Sequence, residues 1–350
     1  MPEEVVTVRD INPEVLQPPY ALQLARGVSA LYLRNGARTF GFHAAPPDQG
    51  SHFLTAIIDE TSPLSSDPAE KLIVQGGAQY GCSVRICPFC IYRDLPYHRN
   101  LSVDEMVDLF RLALFLHARR YDHIHDQRQL VLKFTDNGEP LENPALIAAL
   151  DKLLALFGKK DKVLFLKVST VGKSSARSRA TFQYLCQWQK QNFHQVSVHL
   201  QISVIPGVRG LVSPTEAREL ADQWVEANPR DMVCFAPGLA HGYDQTSLLK
   251  YCREMAGLRQ HCFFRLSVIK PSCPAQETMV VSREELARIN TAIEEMGLMV
   301  SPLPQNSRYD QQLRSVGTLS HLPGDGRFYD PATYQVWDCQ EGGADPNTPL

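Results

Sequence analysis

Three of the chain's nine cysteines fall within nine residues, as Cys82-Ser-Val-Arg-Ile-Cys87-Pro-Phe-Cys90. Thiolates are the ligands that iron–sulfur clusters and zinc prefer, so this Cys-x4-Cys-x2-Cys run reads as a ligand set. A structural zinc ion wants a fourth Cys or His at hook spacing, and the next candidate, His98, stands eight residues beyond Cys90. A cluster held by three thiolates on one loop leaves one iron open, which is what a small substrate would bind. Three reduced structural thiols are the third reading of the same residues. The other six, Cys186, Cys234, Cys252, Cys262, Cys273 and Cys339, are scattered singly. An odd number cannot pair completely, and nine in 350 residues are too sparse for a disulfide framework.

A ligand loop needs a scaffold, and the composition bounds what that is. With 44% apolar and 21% charged residues the chain has ordinary globular composition, which excludes collagen, coiled coil and wholesale disorder. A net charge of -3 gives no protein-wide attraction to phosphate backbones, although a local basic groove is compatible with it. No window approaches the roughly 18 uninterrupted apolar residues of a membrane span. The N-terminus, Met1-Pro-Glu-Glu, has neither a basic nor an apolar leader region, so a cytoplasmic location is expected.

From about residue 70, apolar runs bounded by turn residues alternate with segments of helical period, the pattern of a parallel α/β sheet. The strands are expected at Leu72–Gln75, Leu130–Phe134, Val163–Val168, Val196–Val204, Met232–Phe235 and Cys262–Ile269. The helices are expected at Val103–Ala118, Pro144–Phe157, Arg177–Gln191, Pro214–Ala227, Gln245–Ala256 and Arg283–Met296. Ser102 and Ser282 each precede an acid by three residues, as in a capping box. Six β/α units are too few for an eight-stranded barrel, so the expected fold is an open, partial (β/α)6 barrel with its site at the C-terminal strand ends. Residues 66–320 form this core. Residues 1–65, with strand-like runs at Ala30–Leu33 and Phe53–Ile58, read as an N-terminal extension over an edge or the bottom of the sheet. Residues 321–350 read as an irregular C-terminal tail.

The cysteine run and its surroundings resemble a known family. Gln79-Tyr-Gly-Cys82 through Cys87-Pro-Phe-Cys90, followed by His98-Arg-Asn-Leu-Ser-Val-Asp-Glu105, is similar to the cluster loop and following helix of radical S-adenosylmethionine (SAM) enzymes. The particular likeness is to the rRNA adenine-C2 methyltransferases. It continues in order through Phe134-Thr-Asp-Asn-Gly-Glu-Pro-Leu-Glu-Asn143, Val168-Ser-Thr-Val-Gly172, Leu200-Gln-Ile-Ser203 and Val268-Ile-Lys-Pro271. The resemblance implies a [4Fe-4S] cluster on Cys82, Cys87 and Cys90, with SAM chelated by the remaining iron and Phe89 in the aromatic place before the last cysteine. It implies SAM contacts from Gly138, Glu139, Ser169 and Ser203, and Lys270 in the place of the family's SAM-contacting Asn. The residue types suit those roles. Glycine lets backbone approach a ligand closely, a carboxylate accepts from an ammonium, and hydroxyls bond ribose or carboxylate oxygens.

Four departures shape the expected chemistry. The first cysteine gap holds four residues where the family has three. Val316 falls where the methyltransferases carry a methyl-accepting cysteine, and valine is no nucleophile. The stretch Phe53-Leu-Thr-Ala-Ile-Ile58 lacks the family's acid before the cluster loop, and Asn and His positions of the cofactor site are Lys270 and Ile205. No RNA-binding helical domain is recognisable in residues 1–65. The expectation is therefore a radical SAM enzyme that takes a flavodoxin- or ferredoxin-type electron donor and acts on a small molecule or peptide. RNA methylation is the runner-up, with Cys273 in Pro271-Ser-Cys-Pro274 as the weak substitute for a methyl carrier. A zinc- or cluster-binding protein without activity is the third reading. Lys173-Ser-Ser-Ala-Arg-Ser-Arg179 could meet an anionic group or simply start a helix, and His123-Ile-His125, with two imidazoles on one face of an extended segment as a possible adventitious metal pair, reads as surface.

Overall fold

A computed structural model describes residues 4–22, 28–32, 38–44, 52–59, 71–87, 97–120, 123–135, 138–172, 175–205, 207–208, 211–229, 231–239, 244–258, 260–268, 281–301, 327–330 and 335–338. Three strands precede the predicted core: β1 (Val28–Tyr32), β2 (Arg38–Ala44) and β3 (His52–Asp59). The core then runs β4 (Lys71–Gly76), β5 (Gln79–Tyr80), β6 (Arg99–Asn100), α1 (Val103–Arg120), β7 (Gln129–Phe134) and α2 (Leu146–Phe157). It continues as β8 (Leu164–Thr170), α3 (Ala176–Gln191), β9 (Val196–Ile202), α4 (Pro214–Ala227), β10 (Val233–Phe235), β11 (Gly238–Leu239) and α5 (Gln245–Met255). Last come β12 (Cys262–Phe264), β13 (Ser267–Val268), α6 (Arg283–Glu294), β14 (Met299–Val300), β15 (Arg327–Asp330) and β16 (Gln335–Asp338).

Seven strands, β4, β7, β8, β9, β10, β12 and β14, join in chain order into one parallel array. Each is reached from its predecessor by a helical crossover. The array does not close, because the free edge of β4 is taken by β3 in antiparallel register, Ile58 opposite Val74. The sheet then continues antiparallel through β2, β1, β15 and β16 to twelve strands. The fold is thus the partial α/β barrel that the alternation implied.

Alternation explains the layers. Leu72, Val74, Leu130, Leu132, Phe134, Leu164, Leu166, Val168, Val198, Leu200 and Ile202 are fully buried. They pack against Met106, Phe110, Leu150, Leu153, Phe182, Leu185 and Trp224 on the covering helices. Each such aliphatic side chain contributes about 1.5–3 kcal/mol on leaving water. The residues between them, Gln75, Lys133, Phe165, Lys167 and His199, are half-buried and face the concave side.

The helices begin where their caps say. Ser102 Oγ accepts from Glu105 N at 3.2 Å while Ser102 N donates to the Glu105 carboxylate at 2.9 Å. Ser213 and Glu216 make the same reciprocal pair around Pro214, and Ser282 Oγ accepts from Glu285 N at 3.1 Å.

Four features differ from the expectations. The strand expected over Cys262–Ile269 splits, and Ser267–Val268 pairs with β11 in a separate two-stranded sheet. The stretch read as an irregular tail carries the hairpin β15–β16, with β15 antiparallel to β1. The seventh parallel strand, Met299–Val300, is two residues long and too short to show a period. His123–His125 is a single 3-10 turn rather than an extended segment, so its two imidazoles do not share a face as β residues would. The segment from Glu4 bonds to the N-terminal ends of the barrel strands, with Val6 N donating to Val163 O and Leu130 N to Val6 O. It lies at the bottom of the barrel, opposite the strand ends that carry the cysteines.

Candidate functional site

The cysteine run leaves the C-terminal end of β4 and is held at its base by Gln79. This side chain is fully buried. Its Nε2 donates to Asn100 Oδ1 at 2.8 Å, and its Oε1 accepts from Ser83 N at 3.1 Å and from Glu139 N at 3.0 Å. One amide therefore ties together the strand pair β5–β6, the residue after Cys82, and the turn after β7. Arg99, opposite Tyr80 across β5–β6, donates to both oxygens of Glu105 at 2.7 and 2.6 Å. Burial pushes the Glu105 carboxyl up, but these bonds outweigh it and hold it below the ordinary value.

Beyond Gln79 the loop packs on apolar ground. Cys82, Ile86 and Cys87 surround Val84, Ile205 and Leu211, together with Val171 and Val208. Val171 follows β8 and Ile205 follows β9, so the loop lies across the C-terminal ends of three parallel strands. Both thiols are half-buried. Cys90 and Phe89 lie outside the described residues, as do Lys270, Cys273, Val316 and Cys339. Among the described residues, no group of three or more His, Cys, Asp or Glu side chains comes together to hold a metal.

The turn after β7 brings Gly138 and Glu139 to the same place. Gly138 has φ +81°, and a Cβ there would sit 2.4 Å from Gln79 Cβ. Glu139 points inward and is 2% exposed. Its carboxylate accepts from Thr170 Oγ1 at 2.6 Å, Leu141 N at 3.1 Å and Val171 N at 2.8 Å. Burial pushes its pKa up to about 7 against those bonds. Asn143 completes the turn by donating to Ala78 O at 2.8 Å and Leu101 O at 2.9 Å. Gln79, Asn143 and Thr170 carry this architecture, yet no periodicity or spacing marks them in the sequence. All three stand only as members of the quoted motifs.

Ser169 and Ser203 stand at the ends of β8 and β9. Ser203 N donates to Thr170 O at 2.6 Å, and Gln201 Nε2 lies 3.5 Å from Ser203 Oγ. Ser169 Oγ is buried and has no hydrogen-bond partner among the described residues. An unmet buried hydroxyl costs about 1–3 kcal/mol, so a polar ligand atom at the strand ends would be favoured there. The basic stretch after β8 is partly described: Ser175 Oγ accepts from Ser178 N to cap α3, and Arg179 pairs with Glu216 at 3.1 Å.

A parallel α/β array that stops short of closing, with a cysteine loop across its C-terminal strand ends, defines a class of fold. No protein-family model matches the chain, and no curated protein matches its sequence. Among solved structures it is similar to the crystal structure of a radical SAM methyltransferase from Sphaerobacter thermophilus, with a TM-score of 0.58 and 19% identity over 80% of this chain and 76% of that chain. The likeness establishes the fold, a partial barrel of the radical SAM type.

Proposed function

We propose that the chain is a radical SAM enzyme acting on a small molecule or peptide. The observation that carries this is the placement of Cys82 and Cys87 over the ends of β4, β8 and β9, in a fold shared with a radical SAM methyltransferase. Cys82, Cys87 and Cys90 would hold a [4Fe-4S] cluster. When bound, that cluster supplies the electron that cleaves SAM to methionine and a 5′-deoxyadenosyl radical.

The chain's own part is to bind, orient and exclude water. Val84, Ile205 and Leu211 give the loop an apolar bed, which excludes water from one side of the two thiols. Gln79 fixes the loop against the Gly138 turn. Ser169 Oγ, without a hydrogen-bond partner among the described residues, is the donor available to a SAM oxygen, with Ser203 at the neighbouring strand end and Lys270 two residues past β13 in the sequence. Glu139 acts from behind: its bonds to Thr170 and Val171 set the path of the backbone after β8. A flavodoxin- or ferredoxin-type protein would be the electron source.

The test is anaerobic reconstitution with iron and sulfide, then incubation with SAM and dithionite, with products read by mass spectrometry. 5′-Deoxyadenosine that vanishes in Cys87→Ala is the expected result. S-Adenosylhomocysteine beside it would add methyl transfer to the reading. No iron uptake and no SAM cleavage would overturn it.

A further inference from the structure

The seam between the covering helices α3 and α4 holds a cavity of about 190 Å³ that the cysteine loop does not use. Its buried lining is Leu141, Gly172, Ser178, Phe182 and Val212, with the half-buried Leu220 beside them. An apolar cavity of about 150 Å³ holds one benzene ring, so there is room here for a ring and a short substituent. The fold fixes the walls. Ser175 and Ser213 cap the two helices, and the Tyr251 hydroxyl donates to Val212 O.

The polar groups of the lining point to the kind of molecule that fits. Arg179 and Glu216 pair with each other at 3.1 Å. The N–H groups of Ser178, Arg179 and Glu216 are spent on Ser175 and Ser213. Ser178 Oγ differs: the residue is 2% exposed, and the hydroxyl has no hydrogen-bond partner among the described residues. Leaving a buried hydroxyl unmet costs stability that a ligand's polar group would restore. The lining thus offers a ring-sized apolar surface and one unmet hydroxyl, which is the chemistry of an uncharged ligand.

The cavity also backs onto the bed of the cysteine loop. Gly172 and Val212 line it, and the residues before them, Val171 and Leu211, belong to the apolar bed under Cys82 and Cys87. The two segments touch: Gly172 has φ +63°, and a Cβ there would sit 2.8 Å from Val212 Cβ. Gly172 N donates to Thr170 Oγ1 at 2.9 Å, and that hydroxyl donates to Glu139. A molecule in the cavity therefore bears on the same two chain segments as the loop.

We propose that this cavity is an effector site. It takes a small uncharged molecule, an apolar ring with one hydrogen-bonding group, with the ring against Leu141, Phe182 and Leu220 and the polar group on Ser178 Oγ. Binding holds Gly172 against Val212 and so steadies the segment from Cys82 to Cys87. The assignment stands whatever the cysteine loop holds.

The test uses three probes that share one ring, benzyl alcohol, toluene and benzoate, titrated into the full chain as purified and followed by nuclear magnetic resonance. Benzyl alcohol is expected to bind saturably, toluene about fivefold more weakly for want of one hydrogen bond, and benzoate not at all. Ser178→Ala removes an unmet hydroxyl and so should keep the fold. It should bring benzyl alcohol down to the affinity of toluene and leave toluene unchanged. Leu220→Phe, which narrows the cavity, should weaken both. Hydrogen–deuterium exchange with saturating benzyl alcohol should slow peptides covering 175–183 and 211–223, and also 79–87, with α6 as the unaffected reference. No saturable binding, benzoate binding as tight as that of benzyl alcohol, or benzyl alcohol unaffected by Ser178→Ala overturns the site. Slowing that stops short of 79–87 overturns the effector role.

Discussion

Gly138 and Gln79 approach so closely that a Cβ on the glycine would lie 2.5 Å from the Gln79 amide oxygen. The same oxygen accepts from Ser83 N, next to Cys82, and from Glu139 N. The turn after β7 therefore sets where the cysteine loop begins. Gly138 is required twice over: its φ of +81° is a region that side chains avoid, and the space for a side chain is already filled.

Gly138→Ala is accordingly expected to destabilise the chain by about 1–3 kcal/mol from backbone conformation alone, before the contact with Gln79 is added. Gln79→Ala spares the turn and removes only the bonds to Asn100, Ser83 and Glu139. It should lower iron uptake on reconstitution while leaving the helices formed. Iron per chain, with far-ultraviolet circular dichroism as the folding control, separates the two effects. Full iron uptake by Gln79→Ala would refute the positioning role.

Glu139 has a pH signature. Its pKa is about 7 in the folded chain against an ordinary 4.5, so between those values the folded state binds more protons than the unfolded one. Stability from this group is complete below about 4.5 and is lost as the pH rises through about 7. The slope is at most about 1.4 kcal/mol per pH unit. Denaturant titrations across this window should show a decline in the wild-type chain that Glu139→Gln lacks. An unchanged slope in the variant would place the titration elsewhere.

The sequence revealed the barrel well because its strands obey a period of two and its helices carry capping serines. All six helices begin and end within two residues of their expected bounds. Less regular parts were harder to see. β2 holds Arg38, Gly41 and His43 among its apolar residues, and β14 is two residues long, so neither displays a pattern. The hairpin β15–β16 sits between glycine- and proline-bearing stretches whose local preference is irregular. At the site, the cysteine run could be read directly because metal ligands are few in kind. Gln79 and Thr170 could not, because their roles depend on partners 60 and 31 residues away. Lys133 and Lys167 look like the polar members of ordinary alternating strands until register sets them opposite each other.

At the bottom of the barrel, Arg128 is fully buried and donates to both oxygens of Asp126, at 2.9 and 3.1 Å from Nε. His117 Nε2 lies 3.4 Å from the same carboxylate. Burial pushes the Asp126 carboxyl up, but Arg128 and His117 hold it well below the ordinary range. Its contribution is therefore present above about 4 and is lost as the pH falls through its folded value. Asp126→Asn takes the carboxylate charge of Asp126 away from a buried guanidinium and should cost about 3–5 kcal/mol. Asp104→Asn, which breaks an exposed pair with Lys152, should cost under about 1 kcal/mol. Similar losses in the two variants, measured by denaturant unfolding, would refute a special role for the buried pair.

Lys167 should give the opposite pH slope to Glu139. Its pKa is about 7 in the folded chain against an ordinary 10.5, so between these values the unfolded state binds more protons. Folding is penalised in full below about 7, and stability recovers as the pH rises toward 10.5. Lys167→Met removes the charge and keeps most of the side-chain volume. It should be more stable than wild type at neutral pH and should lack the rise above about 7. The comparison is between two chains at each pH, so other groups titrating in that window cancel. Denaturant unfolding of both chains at each pH reads the difference, and a rise above about 7 that persists in Lys167→Met would place that titration in another group.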